Sequence, residues 1–157
     1  MRVLTLEETI KGYGDPTPYL LDDGSVSPGW PEQILRTFSL GVPLPLSFGG
    51  FATRISCHQD VLLELDRVFR VLITNPEVWH SIDDYGGCYQ WRRNRNNPKV
   101  LSKHAWGIAV DLDVADNPNG TMGMMHPFII DVFARSGWLW GGHFGHPDPM
   151  HFEKGAE

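Results

Sequence analysis

Apolar residues recur at helical spacing most clearly over His58–Thr74, HQDVLLELDRVFRVLIT. Val61, Leu62, Leu65, Val68, Phe69 and Leu72 fall on one stripe, which predicts a core-facing helix. Asn75-Pro76 stops it. A second helix is predicted over residues 126–137, HPFIIDVFARSG, with Pro127 early and Gly137 just past its end. Between the two the period changes to two. From Gly107 to Val114, Ile108, Val110, Leu112 and Val114 point one way, and Ala109, Asp111 and Asp113 the other. MHFE (150–153) reads as a short strand with His151 and Glu153 on one face and Met150 and Phe152 on the opposite one. The first fifty residues carry six of the twelve prolines and seven of the seventeen glycines. They read as loop and extended chain, with one short helix around residues 32–38.

Irregular chain, helix, strand, helix, strand is the order of an α+β fold, a small antiparallel sheet with flanking helices. A chain of 157 residues is expected to form one domain, with residues 1–50 packed on it as an extension. A net charge of −6 argues against a nucleic-acid binder, which would carry a basic patch. No apolar run approaches the roughly 18 residues of a membrane span. The first residues, MRVLTLEETIKGYGDP, lack the apolar core of a signal peptide, so synthesis in the cytoplasm is expected. Cys57 and Cys88 match no CxxC spacing and read as reduced, buried thiols; a single disulfide is the alternative for a protein working outside the cytoplasm. Nothing in the sequence points to an oligomer, and a monomer is expected.

An aspartate inside a strand is unusual, and a carboxylate on a half-buried face is costly without a partner. A cation would supply one. A bend at Gly107 can bring His104 and Asp111 to one side of the sheet, and His151 on the MHFE strand is the best-placed third ligand for a catalytic zinc, which takes three protein ligands. Asp148, three residues before His151 in the DPMH turn, can stand beside a metal as a general base; Glu153 competes for that role. HExxH is absent, and no cysteine pair offers a structural zinc site. His143 and His146 have a ligand-like spacing but sit in a glycine-rich loop and read as rim or surface. His58, His80 and His126 read as structural or exposed.

The residues Ser102, His104, Gly107, Ala109 and Asp111 spell S-x-H-x-x-G-x-A-x-D. About forty residues later, after Trp140-Gly-Gly, come Asp148, His151, Phe152 and Glu153 as D-x-x-H-F-E. Over roughly residues 50–153 the chain resembles the zinc cell-wall peptidases: D-Ala-D-Ala carboxypeptidases and dipeptidases and the L-alanyl-D-glutamate endopeptidases of phage endolysins. YGGCYQWR and LSKHAWGIAVDLD are most similar to the endopeptidase branch. The resemblance implies a hedgehog/DD-peptidase-like fold and one Zn²⁺ on His104, Asp111 and His151, with Asp148 as general base. It implies an upstream arginine that steadies the carbonyl oxygen. By position this is Arg92, with Arg93 as the neighbouring alternative. Ser102 would line the site and contact substrate, and Trp106 and Trp140 would wall it or belong to the core. The implied substrate is a peptidoglycan stem peptide, cut between L-Ala and D-Glu or, alternatively, at D-Ala-D-Ala. A zinc-retaining but inactive binding domain is the reading of another class, since the same fold serves hedgehog-type signalling proteins. The implied place of action is the cell wall, reached by phage-directed release or another export route. Asp113 is left with two readings, a partner that orients a ligand or an exposed acid.

Overall fold

The structure, a computed structural model, describes residues 1–156. Five strands form one antiparallel sheet: β1 (Arg2–Val3), β4 (Tyr85–Gly87), β5 (Ala109–Leu112), β6 (Trp138–Trp140) and β7 (His151–Ala156). β7 is the hub and pairs with β1, β5 and β6, while β4 pairs with the other side of β5. β2 (Leu35–Pro45) and β3 (Phe51–His58) make a separate two-stranded hairpin. Among the described residues there are five α-helices: α1 (Leu6–Tyr13), α2 (Gly29–Ile34), α3 (Leu62–Ile73), α4 (Pro76–His80) and α5 (Pro127–Arg135). The fold is α+β, as the order of periodic segments predicts.

The apolar faces meet through a run of aromatic contacts. Phe38 of β2 packs on Phe69 of α3, Phe69 on Phe133 of α5, and Phe133 stacks on Phe152 of β7 at 4.2 Å between ring centroids. Burying Phe152 on this side turns His151 and Glu153 to the opposite face of β7. Ile108, Val110 and Leu112 are buried in the same core. The α3 stripe is buried at Leu65, Val68, Phe69 and Leu72, as its spacing predicts. Asn75 ends α3 and at once caps α4, its side chain accepting from the Val78 N–H.

Residues 1–50 are more ordered than their proline and glycine content suggests. The predicted helix at 32–38 lies earlier, at Gly29–Ile34, and the chain from Leu35 is strand. Phe38 and Leu40 alternate into the core while Phe38 pairs with Ile55, so cross-strand burial wins over helix propensity. Helix α1 follows a capping box, Thr5 with Glu8, a local signal in the sequence that the proline count obscures. This segment is tied to the turn before β5 by buried bonds. Trp30 Nε1 donates to the Ala105 carbonyl and Trp106 Nε1 to that of Gly14, both at 2.9 Å.

Strand β5 is shorter than the alternation implies. Asp113 has φ +49° and ends it, so Val114 leaves the core face. Neither reading of Asp113 fits its place. Its carboxylate is buried and accepts the Asp83 N–H at 2.6 Å, tying the β4 approach to the end of β5.

Candidate metal centre and catalytic cavity

The centre is built on register. In the β5–β7 ladder Asp111 stands directly opposite His151, Val110 opposite Phe152, and Ala109 opposite Glu153. Asp111 and His151 therefore share one face by pairing alone. His104 comes from a short 3₁₀ turn, Lys103–Trp106, capped by Ser102 and ended by Gly107 in the left-handed conformation, φ +66°. A side chain at Gly107 would lie 2.8 Å from Leu35 Cδ2 and 3.0 Å from the His58 nitrogen, so the bend needs glycine for space as well as for φ. On the other side of β5, Gly86 lets β4 close, since a Cβ there would stand 2.9 Å from Asp111 Cβ.

Three buried ligand atoms converge. His104 Nε2 lies 3.1 Å from Asp111 Oδ1 and 3.2 Å from His151 Nδ1, and His151 Nδ1 lies 3.0 Å from Asp111 Oδ1. Ligands at 2.0–2.1 Å on a tetrahedral zinc are separated by roughly 3.3 Å, so this near-equilateral triangle fits the ion with a small outward shift. Each ring is also held from behind. His104 Nδ1 is 2.7 Å from the Cys88 carbonyl, which can only accept, so the proton of a neutral ring sits on Nδ1 and the Nε2 lone pair faces the centre. His151 Nε2 is 3.0 Å from Glu153 Oε2. Such an N, N, O set with fixed outer partners could hold a metal ion.

The electrostatics follow from this packing. Burial works against the Asp111 charge, but the His104 and His151 rings outweigh it and hold its carboxyl well below the usual range. Burial also opposes a charge on His151. Hydrogen bonds donated to the Asp111 and Glu153 carboxylates prevail, and its pKa rises to about 10 without a cation. A proton on Nδ1 of His151 is then what the triangle shares when no metal is there.

Beside the triangle is a small cavity of about 30 Å³, lined by Arg92, Arg95, Ser102, Phe144, Asp148 and His151 together with Asn94, Asn96 and Glu153. The turn carrying Asp148 is pinned by Asp148 N–H to the Gly141 carbonyl and His151 N–H to the Asp148 carbonyl. Any Cβ at Gly141 would collide with that second carbonyl, which is why the loop needs glycine there. Asp148 Oδ1 is buried with no hydrogen-bond partner. Glu153 Oε1 is buried without a partner too, but its Oε2 is engaged with His151, which leaves Asp148 the less committed of the two acceptors. Arg92 Nη2 lies 3.8 Å from Asp111 Oδ2, and Nε donates to Gln90 at 3.0 Å. Arg93 is exposed and turns away, donating to the Lys99 carbonyl.

Not every expected residue meets here. The Trp106 ring is in the core, bonded to Gly14, and does not line this cavity. Trp140 lies outside the lining and braces the loop instead, Nε1 donating to the Pro149 carbonyl at 2.7 Å. His143 and His146 are exposed; His143 edges on Trp140 and His146 bonds Asn119. His58 and His126 are helix or turn caps, and His80 is exposed. Cys57 and Cys88 are free and buried. Sequence reasoning assigned no role to Arg95, which is largely exposed yet reaches the rim of this cavity, and missed the Cys88 carbonyl. A backbone acceptor leaves no mark in the sequence.

Residues 95–154 match the sequence profile of the family described as D-alanyl-D-alanine carboxypeptidase, less than half of the chain but all of both motifs; Arg92 lies just outside the matched span. No curated protein and no solved structure matches the chain.

Proposed function

We propose, from the similarity of residues 95–154 to the D-alanyl-D-alanine carboxypeptidase family of zinc cell-wall peptidases, that this chain is an L-alanyl-D-glutamate endopeptidase acting on peptidoglycan stems. The match supports a zinc-dependent peptidoglycan peptidase in general; the bond cut and the residue roles are our reading. The observation that carries activity is the poised Asp148 oxygen beside the His104, Asp111 and His151 triangle, with Arg92 across the cavity.

Zn²⁺, held by those three residues, would polarise the scissile carbonyl and lower the pKa of a water towards ~7. Asp148 takes a proton from the attacking water and passes it to the leaving amine. Arg92 donates to the oxyanion as charge develops, a role worth roughly 3–4 kcal/mol per donor in comparable sites. Its bond to Gln90 and its ion pair with Asp111 fix the guanidinium beforehand. Ser102 holds the His104 turn and walls the cavity. The enzyme would act at the cell wall as a monomer. No helix among the described residues is long and apolar enough to cross a membrane.

The second reading, a D-Ala-D-Ala carboxypeptidase, is favoured by the family description itself. Digestion of purified peptidoglycan by the zinc-loaded protein, with mass spectrometry of the new termini, separates the two. New L-Ala carboxyl ends and D-Glu amino ends support the endopeptidase. Release of free D-Ala supports the carboxypeptidase. No product with one zinc bound per chain overturns both and favours a binding domain.

A further inference from the structure

Arg95 is the third arginine of the WRRNR run and the least explained. It lines the same cavity as Arg92, Asp148 and His151. Its guanidinium rests on the DPMH turn, Nη1 3.9 Å from Met150 Sδ. Arg92 has Asp111 as an ion-pair partner, and Arg95 has no carboxylate partner among the described residues. Two guanidiniums thus stand at one small cavity in a chain of net charge −6. Asp148 and Glu153 also line this cavity, but neither carboxylate pairs with either guanidinium, so Arg95 keeps its donors free for an anion that enters beside Arg92.

The two substrate readings share one chemical feature. In an L-Ala–D-Glu bond the D-Glu residue continues through its γ-carboxyl, so its α-carboxylate is free on the carbon that bears the scissile nitrogen. In D-Ala-D-Ala the terminal residue carries its α-carboxylate at the same place. We infer that Arg95 is a specificity-determining residue that binds the α-carboxylate of the residue supplying the leaving amine, leaving Arg92 to the oxyanion. The assignment rests on the peptidase reading above. A guanidinium matches a carboxylate through two parallel N–H donors, a geometry that a lysine ammonium does not reproduce.

The test uses the zinc-loaded full chain and two pairs of synthetic stem peptides. One pair has D-Glu with its α-carboxylate free or as the carboxamide. The other ends in D-Ala-D-Ala, free or as the terminal amide. On whichever pair is cut, the wild type should prefer the carboxylate by tenfold or more in kcat/KM. Arg95→Gln should lose that preference through KM, with the carboxamide cut as before, and Arg95→Lys should recover part of it. Arg93→Gln, turned away from the cavity, should keep the preference. A wild-type preference retained in Arg95→Gln overturns the assignment, as does a wild type indifferent to the carboxylate. If the wild type cuts no peptide, the peptidase reading fails instead. Calorimetric binding of the free-carboxylate peptides to wild type and Arg95→Gln then decides Arg95 alone: equal affinities overturn it, and weaker binding by the variant supports it.

Discussion

Gly107→Ala should be among the most damaging single-methyl substitutions in this protein. Two costs add. Alanine at φ +66° takes the left-handed penalty of about 1–2 kcal/mol. Its Cβ would also press on Leu35 Cδ2 at 2.8 Å and on the His58 nitrogen at 3.0 Å. Leu35 can rotate. The His58 nitrogen cannot retreat, because it donates to the Gly107 carbonyl at 2.9 Å and so ties β3 to the very residue being changed. Overpacking of this kind costs about 1–3 kcal/mol. The sum is about 2–5 kcal/mol, a large part of the roughly 5–15 kcal/mol that holds a domain folded. Chemical denaturation of zinc-free wild type and variant, with equal m-values, measures it. Gly107→Asn refines the test, since asparagine tolerates the left-handed region but brings the same Cβ. Asparagine should therefore recover only the first part. A loss below about 1 kcal/mol in the alanine variant, or full recovery with asparagine, would refute the close-approach reasoning.

Zinc binding near pH 7 should release about one proton per chain, because His151, raised to about 10, must give up its Nδ1 proton. Calorimetry in buffers of different ionisation enthalpy counts it, and zero release contradicts the shared-proton arrangement. In the zinc-free chain the raised pKa contributes stability that is complete below about pH 6.5 and is lost as pH rises through about 10, so zinc-free melting temperature should fall over that window. Asp148→Ala should bind zinc like the wild type and lose hydrolysis by about 10²–10⁴-fold. Because Asp148 Oδ1 has no partner to forfeit, its melting temperature should hold or rise; hydrolysis near the wild-type rate would remove Asp148 as the base. Burial pushes the Cys57 thiol up to about 12 and that of Cys88 well above its usual value, so both should resist aromatic disulfide reagents until denaturant is added. Rapid native labelling would show that the core around Gly107 opens.

Much of the centre was legible in the chain because it rests on local period. Alternation in β5 and β7 assigns Val110, Leu112 and Phe152 to one face and Asp111, His151 and Glu153 to the other, and two motifs mark the candidate ligands. Glycine at 107 signals the bend. What local period cannot reach is pairing and acceptor choice. That Asp111 faces His151 rather than Glu153 is a matter of cross-strand register. Glu153 gives one oxygen to a ring nitrogen, and Asp148 Oδ1 is left without a partner, only because β7 and its turn pack as they do. Arg92 and Arg93 are adjacent and chemically identical, and only the path of the loop over the cavity separates them. Asp113 repeats the alternation of Asp111, yet one positive φ takes it out of the strand and onto the Asp83 amide. The sequence by itself determined the kinds of group at the centre and the faces they occupy, since both are properties of neighbours along the chain. Tertiary structure alone decided which atoms meet, because hydrogen-bond partners and free cations are set by segments up to a hundred residues apart, from Leu4 and Lys103 to Cys88 and His104.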